Sequence, residues 1–475
     1  MKYRRARILA AAALIATLAA GCSLEQTGSG DTVRVVVGYQ SKTINTVTAG
    51  TLLRAKGFLE KRLNDLTMKG GPKYQVEWQD YDTGAPITAQ MIAEKIDIGS
   101  MGDYPLLING SRTSASERSA TELVSITGYQ PRGSLNMVVT APNSTATSLS
   151  DLAGKKVSAS VGSAGDGTLR QALSRANIDP AHGVDVLNQQ PQIGASALES
   201  GQVQALSQFV AWPGLLVFQN KAELLYDGAE LNVPTFHGVV ARRDYSKSHP
   251  EVLDAFLQAQ LDATDFLHAK PLEAAQLVAD NSGLPAEVVY LYNGPGGTSF
   301  DTPLKPQLVQ AFKGDVPYLK SIGDFADFDI DKFVDDAPLR KAFAERGANY
   351  DAAVANFANP APITGVDPST GKPVSDAALA GEIWFDGQAA AQPAGNPTDL
   401  LRAVKAARAQ GKKIRAAYVP DAELGTRWFA DKAQWVREGD TYLPFITPGA
   451  VQRYQARHPG AVAVSYDQAI GEVRS

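Results

Sequence analysis

The sequence predicts an α/β fold made of two lobes with a cleft between them, followed by a smaller third α/β unit. Three observations carry that expectation. β-branched runs alternate with stretches of helical apolar spacing, which implies parallel strands joined by helical crossovers. The alternation occurs twice before about residue 280, once for each lobe. At Asn359-Pro360-Ala361-Pro362 and again at Asp367–Pro373 the composition shifts to Pro and Gly, the mark of a domain boundary.

The elements follow in order. Thr32–Tyr39 is a β-branched run that reads as a buried strand, and Leu52, Leu53, Phe58, Leu59 and Leu63 fall at helical spacing within 48–63. Tyr74–Gln79 alternates as a second strand, 85–94 reads as a helix, and Ile96–Gly99 as a short third strand. The second unit places strands at 135–140, 155–160, 184–188 and 205–210, with helical segments at 148–152, 167–176 and 193–200. A returning strand at 236–242 leads into one helix over 249–278, with Leu253, Phe256, Leu257, Leu261 and Phe266 along one side. Lobe 1 therefore takes residues 32–137 and 236–345, lobe 2 takes 138–235, and the C-terminal accessory domain takes 360–475. In that domain Glu382–Phe385, 413–419 and 462–464 read as strands and 398–410 as an amphipathic helix.

Residues 1–21 have the charged, apolar and small-residue regions of an export signal. Lys2, Arg4, Arg5 and Arg7 precede an apolar run too short to span a bilayer. Leu18-Ala19-Ala20-Gly21-Cys22 resembles the lipobox of bacterial lipoproteins, which implies that Cys22 is acylated and becomes the first mature residue. Polar residues 22–31 then form a tether, and the resemblance implies a lipid anchor on the extracytoplasmic face of the cell membrane. Removing a signal with four of the 45 basic residues and no acidic one leaves 41 against 50, a net charge of −9. That acidity argues against nucleic acid as a partner. Cys22 is the single cysteine, so no intrachain disulfide forms and stability rests on a buried core.

Three loops carry the candidate site, each between a strand end and a helix start. Gln40-Ser41-Lys42-Thr43 brings hydroxyls and the positive end of a helix dipole together, a setting for an anion or polar head group. Gly162, Ser163 and Gly165, with Thr168, do the same in the second lobe, where glycine permits close backbone approach. Gly102-Asp103-Tyr104 follows the third strand. Asp103 is a ligand for an amine or a helix cap, with capping favoured. Tyr39, Tyr81, Tyr129 and Trp212 are candidates for the cleft wall, each also a candidate core residue. His237, near the return crossing, either faces the cleft or is buried in the core.

Val36–Gln40, Lys56–Leu63, Ile96–Pro105, Asp151–Val157 and Val161-Gly162-Ser163, in this order and spacing, resemble the periplasmic solute-binding proteins of nitrate, sulfonate and taurine importers. The resemblance covers about residues 33–330. It implies a two-lobed periplasmic-binding-protein fold, capture of a small oxyanion-type solute, and ABC importer permease and ATPase subunits as partners. It departs from the pattern at Trp212-Pro213, where the family commonly has Trp-Asp-Pro, which implies a bulkier or less cationic ligand. The same fold family includes thiamine-pyrimidine synthases, which depend on histidine and a cysteine-rich segment. With Cys22 alone, an enzyme is not expected. Neither is a cofactor, since no metal-ligand spacing or phosphate-loop motif occurs. Gly294–Thr298 follows a helical stretch and reads as a surface turn.

In the tail, Ala417-Tyr418-Val419, Trp428–Ala433, Pro444-Phe445 and Ser465–Ala469 are similar to the copper-binding accessory lipoprotein of nitrous oxide reductase maturation. A Cu(I) site requires soft sulfur ligands, and this tail has no Cys or Met and one histidine, His458. Docking to another protein is the expected role, and a surface sensor or scaffold is the alternative reading of the whole chain.

Overall fold

The computed structural model describes residues 32–323 and 325–474. The signal at 1–21, the tether at 22–31 and Cys22 lie outside the described residues. Two five-stranded sheets share one plan. In lobe 1 the order is β2-β1-β3-β10-β4, with β1 (Thr32–Tyr39) parallel to β2 (Lys73–Asp80) and β3 (Ile98–Gly102). β10 (Thr235–Arg242) runs antiparallel to β3 and to β4 (Thr121–Gln130). In lobe 2 the order is β7-β6-β8-β5-β9. There β6 (Lys156–Ala159) is parallel to β7 (Asp185–Asn188) and β8 (Ala205–Phe209), and β5 (Asn136–Thr140) is antiparallel to β8 and β9 (Glu223–Asp227). The chain crosses outward between β4 and β5 and returns between β9 and β10. The parallel strands of both sheets thus end toward a common cleft, the usual place for a ligand in such sheets.

Where the elements differ from expectation, the cause is local. The single helix expected over 249–278 is two, Pro250–Ala269 and Pro271–Ser282. Pro271 has no N–H to continue the ladder and excludes the α region for the residue before it, and Lys270 sits at φ −140, ψ 61. Apolar spacing runs through the break, so periodicity alone does not reveal it. The helix expected over 48–63 is likewise interrupted at Gly57, whose φ of +62 ends one helix at Lys56 and opens the next at Phe58. The Gly294–Thr298 segment is not a surface turn: Gly294, Gly297 and Thr298 are buried. A Cβ at Gly297 would lie 2.4 Å from the Tyr292 carbonyl oxygen, so only glycine fits there.

The C-terminal domain pairs Gln392–Ala394, Gly381–Phe385, Ile414–Pro420 and Arg427–Phe429 in one sheet and Thr441–Phe445, Gln434–Glu438 and Val462–Val464 in another. Helix Pro397–Ala409 buries Leu400, Leu401 and Val404 against the first sheet. The domain is not a loose appendage. Trp384, Tyr418, Trp428, Phe429 and Ile446 join one apolar cluster with Met137, Leu206 and Leu216 of lobe 2 and Tyr290 of helix Ala286–Asn293. Each fully buried side chain of this size contributes roughly 1.5–3 kcal/mol. Polar contacts fix the docking: Tyr418 Oη donates to the Glu287 carbonyl at 3.0 Å, Arg415 pairs with the Glu287 carboxylate at 2.7 Å, and Thr426 Oγ1 donates to Asp227 Oδ2.

Candidate ligand-binding site between the lobes

A cavity of about 190 Å³ lies between the two sheets. Lobe 1 contributes Gln40 and Thr43 after β1, Thr83–Ala85 and Thr88 after β2, Gly102 at the end of β3, and His237 on β10. Lobe 2 contributes Ser160–Ala164 after β6, Asn188 and Gln190 after β7, and Phe209 at the end of β8. The contribution is almost wholly from strand ends and helix starts, as the topology requires.

Each group is held by its neighbours. Gln40 Nε2 donates to the Ser100 carbonyl at 3.0 Å and its Oε1 accepts from Thr43 Oγ1 at 3.3 Å. Ser163 is the N-cap of helix Ala164–Arg175, its Oγ accepting from Asp166 N, which leaves its hydroxyl proton free to point at a ligand. Gly162 takes φ +81 there, and its N–H is taken up by Asp166 Oδ2 at 3.0 Å. Gly84 begins helix Gly84–Ile92, and a Cβ on it would lie 2.7 Å from Pro105 Cβ and 3.0 Å from Met101 Cβ. Its lack of a side chain brings that helix start into the cavity wall.

The electrostatics have one sign. Four helices of nine residues or more begin at the wall, with Thr83, Gly102, Ser163 and Gln190 as their N-caps. Each directs the positive end of its dipole and its unpaired N–H groups at the space. Arg112, exposed at the rim, adds a full positive charge and makes no ion pair among the described residues. Among the described residues no Asp or Glu lines the cavity. His237 is buried, and burial lowers its imidazole to about 3, so it is neutral. Asn45 Nδ2 lies 2.5 Å from its Nδ1. With the amide assigned as donor, the ring proton sits on Nε2, the atom 3.0 Å from where a Cβ on Gly102 would be. The histidine then offers the cavity an uncharged donor.

Of the residues singled out from the sequence, the structure brings Gln40, Thr43, Gly102, Gly162, Ser163 and His237 to the cavity. It does not bring the others there. Asp103 turns to the return crossing, where Oδ2 accepts from Thr235 Oγ1 at 2.5 Å and Phe236 N at 3.2 Å, and Oδ1 accepts from Tyr104 N at 2.8 Å. Its carboxyl is pushed up to about 6, chiefly by burial. Tyr104 joins the lobes: its ring lies on Gly167, where a Cβ would be 2.1 Å away, and Gln171 Nε2 donates to its Oη and to Asp315 Oδ1, each at 2.7 Å. Gly165 allows its helix to touch the backbone of Gln208. Ser41 gives its N–H to Asp80 Oδ1, Tyr129 stacks on Phe357 at 5.2 Å, and Trp212 is buried with Lys42 Nζ 5.9 Å from its ring. Tyr39 packs edge-on against Trp78, and Tyr81 Oη donates to Gln79.

Thr83, Thr88, Arg112, Ser160, Asn188, Gln190 and Phe209 were not singled out. Thr83 and Asn188–Gln190 carry the same signal as Gln40–Thr43, a strand end running into a helix start. Arg112 has no such signal, since it reaches the rim from the last turn of a helix.

The chain is similar in sequence and in fold to several known proteins. A family model described as NMT1/THI5 like matches residues 107–274. The taurine-binding periplasmic protein of Escherichia coli (strain K12) is 25% identical over 301 residues, 62% of this chain and 88% of that protein. Among solved structures, the alkanesulfonate-binding protein SsuA from Xanthomonas axonopodis pv. citri, bound to MOPS, superposes with a TM-score of 0.54 at 20% identity, covering 64% of this chain and 98% of that one. The periplasmic nitrate-binding protein NrtA from Synechocystis PCC 6803 gives 0.52 at 14% identity, covering 68% and 91%. Residues 107–274 are thus similar to the NMT1/THI5-like family, and the chain has the two-lobed fold of the solved periplasmic binding proteins.

Proposed function

We propose that this chain is the extracytoplasmic solute-binding component of an ABC importer and that it holds a small oxyanion of the sulfonate type between its lobes. The observation that carries this reading is the one-signed cavity, with four helix N-termini and Arg112 at the wall and no carboxylate among the described residues. Oxygens of a sulfonate would accept from the hydroxyls of Thr83 and Ser163, from Gln40 or Gln190, and from free N–H groups at the helix starts. The relatives' own ligands, taurine and alkanesulfonates, support an oxyanion. The wall favours a sulfonate without an amine, because an ammonium group would meet positive dipole ends and no counter-charge. Lobe closure would cover the anion, and the Tyr104–Gln171 contact spans the two lobes.

A binding protein is favoured over an enzyme by the same wall. Among the described residues no hydrogen bond joins a lining hydroxyl to His237, so no activated nucleophile is assembled. We infer that the lipobox-like segment ending at Cys22 tethers the protein outside the membrane. A mature N-terminal peptide whose mass includes acyl chains, lost in Cys22→Ser, would support the anchor, and an unmodified Cys22 would refute it. Calorimetric titration with methanesulfonate, taurine, nitrate and sulfate tests the ligand class. Tighter binding of methanesulfonate than of taurine is expected. Binding of an amine with no response to any of the anions would overturn the reading.

A further inference from the structure

Both lobes and the C-terminal domain meet on one short helix, Ala286–Asn293. Tyr290 faces the C-terminal domain, where its ring lies 5.4 Å from Trp384 and from Tyr418 and its Oη donates to Glu382 Oε2 at 3.0 Å. Tyr292 faces lobe 2, its Oη accepting from Gly214 N at 2.9 Å. Asn293 faces lobe 1, its Nδ2 donating to the Ile44 carbonyl at 2.8 Å. All three side chains are buried. The apolar core takes the same path: Ile44, Val47 and Leu52 of lobe 1 belong to one cluster with Leu206 and Leu216 of lobe 2 and Trp428 of the C-terminal domain.

The C-terminal domain also reaches the two crossings that join the lobes. They touch each other at glycine. Gly133 takes φ +105, and a Cβ on it would lie 2.9 Å from the carbonyl oxygens of Gly228 and Val233. The turn 421–427 is laid across this pair. The Leu424 carbonyl accepts from Arg132 Nη1 at 3.4 Å on the outward crossing, and Thr426 Oγ1 donates to Asp227 Oδ2 where the return crossing begins. Arg427 Nη1 donates to the Pro295 carbonyl at 2.8 Å, in the segment leading to Ser299, which exchanges backbone bonds with Tyr129 of β4. Asp421 holds the turn in shape, its Oδ1 accepting from Glu423 N and Leu424 N and its Oδ2 from Ile446 N. Arg453 pairs with Glu230 on the return crossing at 3.4 Å, an exposed pair of little weight. The buried Thr426–Asp227 bond and the apolar seam carry the attachment.

A hinge opens by absorbing rotation in a few backbone torsions of the crossings. Here the same rotation has to pull one lobe off a domain that is fixed to both. We propose that the C-terminal domain is a clamp on the inter-lobe hinge, holding the lobes at the spacing seen here and restricting their opening before any ligand arrives. Its role is then to pre-organise the cavity, which lowers the ordering cost of binding. The inference rests on contacts among the three units and not on what the cavity holds.

The test is the distance between spin labels on the two lobes of the full mature chain, measured without ligand by double electron–electron resonance. The labels go on Ile92→Cys and Ile193→Cys, at sites 41% and 57% exposed, on helices whose first turns line the cavity from opposite lobes. Cys22→Ser leaves no other thiol to react. With the clamp intact, one narrow distribution is expected. In Arg132→Ala with Thr426→Val, and separately in Tyr290→Phe with Tyr418→Phe, a second and longer distance should appear. Both pairs keep the apolar packing of the seam, and two are used so that a folding defect in one does not decide the matter. If half of the molecules open, affinity falls only about twofold, so distance is the more sensitive readout. A broad distribution with the clamp intact would overturn the proposal, as would a narrow one unchanged in both pairs. No ligand is present, so the result is separate from the fate of the oxyanion reading.

Discussion

Asp227 offers the sharpest quantitative prediction, because it is a buried carboxyl at the seam between lobe 2 and the C-terminal domain. Its Oδ1 accepts from Ala229 N at 3.0 Å and its Oδ2 from Thr426 Oγ1. Burial, reinforced by Asp421 and Glu230 nearby, raises it to about 7, against an ordinary value of 3.8. The sign follows from linkage. A carboxyl whose value is raised in the fold costs nothing while both states are protonated, and its cost grows as pH rises from about 4 to about 7. At roughly 1.4 kcal/mol per pH unit, the cost is about 1–2 kcal/mol at pH 5 and about 4 kcal/mol at pH 8. Asn has the shape of the protonated acid. In Asp227→Asn the carbonyl keeps the Ala229 bond and the amide donates to Thr426 Oγ1, so the variant escapes the cost. Urea unfolding followed by tryptophan fluorescence, at pH 5 and pH 8, measures the difference, with Trp384, Trp428 and Trp435 reporting on the domain beside the seam. The variant should be more stable than the native chain at both values, and by a clearly larger margin at pH 8. A variant that is less stable by the same amount at both would show that an ionised Asp227 anchors the domain and would refute this account.

The cavity yields three further expectations. Arg112→Ala should weaken a small sulfonate about 10- to 100-fold, the loss of a charge-assisted contact of roughly 1.5–3 kcal/mol, and titration calorimetry would show no change if the guanidinium serves only solubility. His237 is lowered to about 3 in the fold, so its neutral form persists and sulfonate affinity should be flat from pH 5.5 to 8. Its share of folding stability is present above about 6.5 and lost as pH falls toward 3. A steep rise in affinity toward pH 5.5, removed in His237→Gln, would mean that the ring charges on binding. Gly102→Ala places a methyl 3.0 Å from His237 Nε2. It should lower affinity severalfold while the thermal midpoint moves by only a few degrees, about 1–2 kcal/mol of overpacking. Unaltered affinity would place the anion away from β3.

The fold was largely legible because its strands are written in uninterrupted apolar or β-branched runs. Val35-Val36-Val37 and Val138-Val139 are buried at 0–1% exposure and could sit only inside a covered sheet. What escaped was structure set by one residue or by distant partners. β4 carries no such run although nine of its ten residues are buried. The run Thr121-Glu122-Leu123-Val124-Ser125 mixes polar and apolar residues, and Ser125 is satisfied only by Gln260, 135 positions away. The burial of Gly294–Thr298 likewise depends on Ala361 and Arg427, which bond Gly296 and Pro295 from the far side of the domain boundary.

The site was legible at the level of loops and not of side chains, and helical geometry explains why. Successive residues of a helix point about 100° apart, so a loop at the cavity presents one or two residues and turns the next away. Gly102 faces the space, whereas Asp103 is swung to the β10 crossing and Tyr104 to the opposite lobe. Ser163 and Ala164 face it, whereas Gly165 is pressed on Gln208. In the first of these loops the residues with the most suggestive chemistry, an acid and a phenol, are the ones turned away, and the small residue beside them makes the wall. That follows from what an anion needs. Backbone N–H groups at a helix start reach a ligand only where side chains are short, and a carboxylate among them would repel the charge they attract. Glycine, serine and threonine at strand ends are therefore the stronger evidence for an oxyanion, and the same pattern at Thr83-Gly84 marks the part of the wall that the first loops did not reveal.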